Sequence, residues 1–324
     1  MATRFSNIVP TKLNMKKLLS EKLIIILAFF AIYVIWGSTY LLNKIAVAQL
    51  PAFMLAAVRF TVSGICILII AKALGISLKI TKKQLKNTAI AGFLFLTFGN
   101  GIVVWTLNFV DSGFVALEIS AQPLVVLVLM RILQGKRIQP TSIVGVLLGI
   151  LGIYLLVSQN HIVSGEHKLL SIVLIFICMC SWAYASLFVG NADLPKNYFV
   201  NTGYQMLIGG FLLCLTSFAL NEEWSTPNHW NDDVFWSVIA LIIFGSIIAF
   251  TAFNYLLQKV SPEKVATNTY VNPIIALFLG WYFLEEPITT QSIIAAVVLL
   301  TGVYFINSKK EVALLSRFKK SNRR

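Results

Sequence analysis

Ten runs of apolar residues, each about long enough to cross a bilayer, constrain this chain more than any other feature. They lie at 23–43, 52–71, 88–108, 114–134, 141–158, 169–189, 198–221, 235–257, 265–284 and 291–307, and about 20 residues of helix cover about 30 Å of hydrocarbon. Within lipid no water satisfies backbone N–H and C=O groups, so a crossing run must bond internally as a helix. The connections, such as 109–113 and 135–140, are short and mostly polar, which leaves no room for a soluble domain. Hydrophobic residues make up 58% of the chain and charged residues 12%, and the mean hydropathy is +0.82. No water-soluble surface can be assembled from that composition. The first run follows a basic segment but is long and lacks a small-residue cleavage site, so it reads as a retained helix and not a signal peptide.

The net charge of +13 invites a nucleic-acid reading. The basic residues, however, sit in short loops and tails between apolar runs, where they set orientation in the bilayer. With the amino terminus in the cytoplasm, 23 of the 26 Lys+Arg fall on that side: five before the first run, five in 72–87, three around 131–137, Lys196, Lys259, Lys264 and seven in the tail. Lys44 and Lys168 fall outside, with Asp111, Glu166, Glu222, Glu223, Asp232, Asp233, Glu285 and Glu286. Both ends, the basic segments 1–22 and 308–324, are therefore expected in the cytoplasm, which demands an even number of crossings. The tail, with Arg317, Lys319, Lys320, Arg323 and Arg324, is an orientation anchor or a contact for anionic lipid. The expected partners are the lipid bilayer and a small-molecule substrate, with no nucleic acid. Cys66, Cys178, Cys180 and Cys214 all lie in apolar runs and form neither a disulfide framework nor a metal spacing. No metal and no cofactor is expected.

The chain also repeats itself. Residues 105–154 laid over 255–304 without a gap give twelve identities, among them Pro123 with Pro273, Gly152 with Gly302 and Tyr154 with Tyr304. The loop between the paired helices reverses its charge, carrying Lys136-Arg137 in the first copy and Glu285-Glu286 in the second. The first spans echo each other too: Trp36-Gly-Ser-Thr-Tyr40 parallels Trp182-Ala-Tyr184, and Leu50-Pro51 parallels Leu194-Pro195. Five crossings per copy is an odd number, so the copies are inverted, as in alternating-access carriers. The expected fold is an all-α integral membrane protein of ten transmembrane helices in two inverted five-helix repeats, 23–158 and 169–307.

These residues carry a family resemblance: Trp36-Gly37-Ser38-Thr39-Tyr40, then Lys44, Pro51 and Arg59-Phe60, followed by Ala116 to Pro123, and Pro273 with Glu286-Pro287 in the second copy. Each is short and weakly specific; their order and spacing together are strong. The chain resembles the drug/metabolite transporter superfamily in its EamA branch of ten-helix bacterial exporters, over nearly all of 23–307. The resemblance implies a multi-pass protein of the bacterial cytoplasmic membrane. One departure is that Gly135-Lys136 replaces the Gly-Glu common in the family, so a role tied to that acid does not carry over. Glu118 is not a family-wide feature and is a candidate for what is particular to this member.

Intramembrane ionisable groups cost about 2.5–3.5 kcal/mol near a helix centre, and the two charged residues inside spans and away from their cytoplasmic ends are Arg59 and Glu118. At 1.5 Å per residue they lie about 12 Å and about 6 Å below the outer face, close enough in depth to pair. Arg59 alternatively clamps helix-end carbonyls. Glu118 couples protons or touches substrate, or else partners Arg59 or snorkels outward. Pro123 and Pro273 kink their spans and free the carbonyls of Ile119 and Thr269. Just before them, Glu118 and Gln122, and Asn268 and Asn272 with Tyr270 between, place polar groups at i and i+4 beside the kinks. Such stripes line a substrate route or glue helices together. Trp36, Ser38, Tyr40, Asn100, Trp182, Tyr184 and Tyr204 are further candidates for an aromatic-walled, amide-bearing cavity that suits a small amphipathic metabolite, as are Asn201, Gln205 and Asn254. Gly145 and Gly149 are read as a packing pair.

The leading function is a secondary active transporter that exports small organic metabolites, amino acids or their derivatives, or drugs, with proton coupling open. No Gly-Lys-Ser/Thr phosphate loop occurs, which argues against direct ATP coupling. An intramembrane enzyme needs a nucleophile and base or metal ligands, yet His161, His167 and His229 are in outer loops and no Asp lies in a span. A channel needs a filter motif, and none is evident. An uptake carrier of the same fold remains open.

Overall fold

The structure, a computed structural model, describes residues 12–135, 140–158, 167–260 and 262–307. Residues 1–11, Lys136-Arg137, His161, Glu166 and the basic tail lie outside the described residues, as does the Tyr270 side chain. Every described element is a helix. In chain order they are α1 (Lys12–Phe30), α2 (Trp36–Val47), α3 (Ala52–Ala73), α4 (Lys82–Gly92), α5 (Gly101–Thr106), α6 (Ser112–Ile119), α7 (Gln122–Gln134) and α8 (Pro140–Val157). Then follow α9 (Lys168–Val189), α10 (Tyr198–Ala219), α11 (Asp232–Ala240), α12 (Ala249–Lys259), α13 (Pro262–Val265), α14 (Asn272–Leu284) and α15 (Thr290–Asn307). Among the described residues, seven helical stretches are long and apolar enough to cross a membrane, and Thr141–Leu155, Asn272–Leu284 and Thr290–Gly302 are shorter apolar helices.

The outside of the molecule is as greasy as its interior. Leu147, Leu169, Ile69, Phe211, Trp236 and Tyr154 are among the most exposed side chains, while Arg59, Glu118, Asn201, Gln205 and Asn254 are buried. That inversion of the soluble pattern is what a hydrocarbon solvent selects. Loops sort to two ends. At one, Lys259 meets Glu21 at 2.6 Å and Gln84 and Asn87 donate to Asp193. At the other, the Glu222 carboxylate accepts from Phe53 and Met54 N–H at the start of α3, and Gln49 bonds His229 and Asn231.

Helices at corresponding places in the two copies pack on each other: α3 on α10, and α8 on α15. A Cβ on Gly302 would come 2.8 Å from Gly145 O and 3.0 Å from Gly149 N, so small residues bring α8 and α15 nearly to backbone contact. Asn201, Gln205 and Asn254, all fully buried, close an amide triangle with bonds of 3.2–3.3 Å. That ring satisfies itself and ties α10 to α12.

Three crossings change pitch halfway. π-helical segments at Ala31–Ile35, Phe93–Asn100 and Leu241–Ile248 join α1 to α2, α4 to α5 and α11 to α12. A π-turn displaces carbonyls from the regular ladder, and these segments lend theirs to neighbouring helices. Trp36 Nε1 donates to Gly245 O at 3.1 Å, Ser181 Oγ to Leu94 O at 2.8 Å and Cys178 Sγ to Phe98 O at 3.4 Å.

Pro123 and Pro273 do more than kink their spans. α6 stops at Ile119 and α7 begins at Gln122, while α13 runs into a 3₁₀ turn at Ala266–Tyr270 before α14 starts at Asn272. Each proline sits in the first turn of the new helix, where its missing N–H would have had no helical partner anyway. The spans are therefore broken in their hydrogen-bond ladder, although Ser120, Ala121 and Val271 keep right-handed helical dihedrals.

Candidate functional site

A cavity of about 110 Å³ lies where the π-segments and broken helices meet. One wall is α2 and α3, with Trp36, Thr39, Tyr40, Asn43 and Arg59; the next is the Phe93–Asn100 segment with Leu96 and Asn100. α7 adds Gln122, and the second copy closes the ring with Cys178, Met179 and Trp182 of α9 and with Gly245, Phe250, Phe253, Asn268 and Asn272. Trp36 and Trp182 meet edge to face at 5.9 Å, with Phe253 5.0 Å from Trp36 and 5.7 Å from Trp182. The site is thus aromatic at its core and amide-bearing at its rim.

Of the sequence candidates, Trp36, Tyr40, Asn100, Gln122, Trp182, Asn268, Asn272 and Arg59 come together on this cavity. Ser38, Tyr184 and Tyr204 do not. The Ser38 hydroxyl donates to Ile35 O of its own helix at 2.7 Å, because a serine inside a helix finds a backbone acceptor one turn back. Tyr184 is 44% exposed on the outer surface of the bundle, two residues and half a turn from Trp182. Tyr204 donates to Leu78 O at 3.1 Å in a loop between crossings. Glu118 is 2% exposed and stands near Cys178 of α9, off the cavity wall that its neighbour Ile119 lines.

The expected Arg59–Glu118 pair is absent, and so is a carbonyl clamp. Arg59 is 3% exposed, and its Nε donates to Ser246 Oγ at 2.7 Å and Nη1 to Asn43 Oδ1 at 3.4 Å. Nη2 lies against Gly245, where a Cβ would come within 3.0 Å. Glu118 Oε2 is buried with no hydrogen-bond partner among the described residues. The two groups were matched by depth alone, and helix rotation points them to different neighbours. Asn43, Gly245 and Ser246 escaped the sequence reading; the signal was there in Gly-Ser, the small polar pair inside the run Leu241–Ile248.

The two amide stripes are anchored differently. Gln122 Nε2 donates to Met179 O at 3.0 Å. The Asn272 amide, oriented with its nitrogen toward the first crossing, donates to Tyr33 O at 2.8 Å and lies within 3.2 Å of Ile32 O, while its oxygen accepts from Asn268 Nδ2 at 3.1 Å. Asn100 Oδ1 has no partner among the described residues and is on the cavity wall.

At the acidic end of the bundle Glu286 joins the copies. Its carboxylate accepts from Ser112 N at 2.9 Å, Ser112 Oγ at 2.7 Å and Gly113 N at 3.2 Å, capping α6 where the helix dipole favours an anion. A Cβ at Gly280 would collide with that carboxylate. Beside it Lys44 Nζ donates to Leu107 O at 2.6 Å and Val110 O at 3.0 Å. Burial and then the Glu286 charge push the Asp111 carboxyl up to about 6, against the pull of Lys44.

The EamA-like transporter family model matches residues 23–158 and 169–308. The chain belongs to this family. A protein similar to it is the uncharacterized inner membrane transporter YedA of Escherichia coli strain K12, 34% identical over 294 residues that cover 88% of this chain and 94% of YedA. Another is the uncharacterized transporter YoaV of Bacillus subtilis strain 168, 21% identical, with 89% and 99% covered. Among solved structures, a crystal structure with TM-score 0.66 and 19% identity covers 90% of this chain and 97% of its own, a likeness of fold.

Proposed function

We propose that this EamA-like chain is a secondary carrier of the bacterial inner membrane that exports small organic solutes by alternating access. The observation that carries the reading is one cavity walled by both copies, with broken helices from each copy at its edge. Discontinuous helices at the midplane supply polar backbone and side chains without exposing them to lipid, and π-segments give the crossings places to bend. Ten crossings in two inverted copies, with both termini cytoplasmic, accord with the pairing of equivalent helices and the sorting of loops to two ends. Trp36, Tyr40, Asn100, Gln122, Trp182, Asn268 and Asn272 face the solute. Glu118 is the coupling group, a carboxyl shielded from water that opening and closing would move between protonation states.

Counterflow in proteoliposomes with a panel of amino acids, their derivatives and cationic drugs tests the carrier reading. Accumulation of any labelled solute against unlabelled solute is expected, and passage without trans-stimulation would indicate a channel. For orientation, Lys83→Cys and Asn228→Cys in a background without native cysteines should label oppositely from outside intact cells. Labelling at 83 but not at 228 would reverse the topology.

A further inference from the structure

Arg59 is a buried cation with only neutral partners. Its hydrogen bonds are to a hydroxyl and an amide oxygen, and no carboxylate lies within ion-pair distance among the described residues. Removing a charge from water without a counter-charge is costly. A chain that keeps an arginine there spends stability unless something arrives to pair with it. The Phe60 ring covers one face of the guanidinium, with Cζ 4.8 Å from its centroid, and Nη2 rests on Gly245, a wall of the cavity that Arg59 itself lines. Gln122 and Asn272, the first residues of α7 and α14, line the same cavity. Against this charge stand the rings of Trp36, Trp182, Phe250 and Phe253.

We propose that Arg59 is the counter-ion for a carboxylate of the carried solute, and that the solute pairs that carboxylate with an aromatic or branched apolar body. A guanidinium matches a carboxylate in a planar, two-bond geometry, and the ring cluster accepts the body by area and edge-to-face contact. A lipophilic cation would place a second positive charge beside Arg59 in a low-dielectric space, so the same site rejects it. The inference rests on the carrier reading for its place in a transport cycle but not for the binding itself.

The test uses the purified full-length chain in nanodiscs, titrated with three probes of one shape: 3-phenylpropionate, its neutral amide and 2-phenylethylamine, read by tryptophan quenching and thermal shift. The acid should bind about tenfold or more tighter than the amide, the scale of a lost charge-assisted hydrogen bond, and the amine should not saturate. Arg59→Gln should bring the acid down to the amide. Since that variant also removes the Ser246 and Asn43 bonds, Asn43→Asp provides a second route: a near-isosteric carboxylate beside Nη1 supplies an internal counter-ion, and the preference for the acid should again collapse. An amine that binds as well as the acid, no binding by the acid, or an unchanged acid preference in Asn43→Asp overturns the proposal. Counterflow of amines or neutral solutes alone sinks it while leaving the carrier intact. Binding of the acid without counterflow sinks the carrier and leaves the Arg59 site.

Discussion

The helical stretches 112–134 and 262–284 are the same sequence device held in two ways. Both break before a proline at matching positions, yet residues 112–119 make two turns of α-helix capped by Glu286, while 262–270 make one α-turn and then a 3₁₀ stretch. The polar residues diverge as well: Glu118 keeps a carboxylate oxygen without a partner, whereas its counterpart Asn268 is bonded to Asn272. Asn268, Thr269 and Asn272 close on their own stretch and on Ile32 and Tyr33, whereas Glu118 leaves an acid oxygen in the interior with no partner among the described residues. Repetition here preserves the break and changes its chemistry, which separates what holds the bundle from what can respond.

Removing the cap should break this contrast most severely. Glu286→Ala strips three bonds from the start of α6, and each bond to a charged group contributes about 1.5–3 kcal/mol. Folded yield, followed as the monodisperse fraction after extraction, should fall sharply, with Glu286→Gln intermediate; unchanged yield for the alanine variant would mean that α6 holds its own start. Next in size is Glu118→Gln, which gives residues 112–134 an amide where 262–284 has Asn268. It should still exchange solute at equilibrium, since exchange needs only alternating access, but should no longer respond to an imposed pH gradient. A variant that concentrates solute as well as the parent under that gradient removes Glu118 from coupling.

Gln122→Ala and Asn272→Ala sharpen the comparison. Interhelical bonds in membranes average about 0.6 kcal/mol, and Asn272 makes several where Gln122 makes one. Both variants should impair transport, with a visible loss of thermal stability only for Asn272→Ala. Equal loss of stability and activity in both would assign the stripes to packing.

The membrane class and the recurring break were legible in the sequence because run length and proline position report directly on backbone bonding. Side-chain partners were not, and Arg59 shows why. Its depth follows from 1.5 Å per residue, but its neighbours depend on helix rotation and on the π-turns at Leu241–Ile248, and nothing in an apolar run announces a π-turn. Tyr184 failed for the same reason: the echo with Tyr40 fixed its place in the repeat and not the face it presents. Asn272 was legible as polar and near a break, while the carbonyls that hold it, at Ile32 and Tyr33, lie some 240 residues away in sequence.

At the Glu286 end, Asp111 should give a pH signature. Its carboxyl is raised to about 6 in the folded state, so the folded chain holds the proton more tightly than the unfolded one. The stability this contributes is fully present below the unfolded value near 3.8 and is lost as pH rises through about 6. Melting temperature should therefore decline between pH 5 and pH 7 in the parent, and less in Asp111→Asn. Identical slopes would place the titration elsewhere.

The smallest effect is expected where the two half-helices end. α7 closes on Gly135 at φ 65° and α14 on Glu285 at φ 56°, so the copies share a left-handed cap but only one has the residue that adopts it freely. A side chain there costs about 1–2 kcal/mol in backbone crowding, and glycine returns about 0.4–1 kcal/mol of that through the freer unfolded chain. Glu285 is exposed, so little packing is lost on trimming it. Glu285→Gly should raise stability by about 0.5–1 kcal/mol, the difference of those terms, without altering the Glu286 cap. The converse Gly135→Ala, with nothing within 4 Å of the new Cβ, should lower it by a similar amount through the backbone alone. If instead Glu285→Gly destabilises, the carboxylate at 285 itself supports the acidic end of the bundle, and the contrast between the two copies extends to their caps.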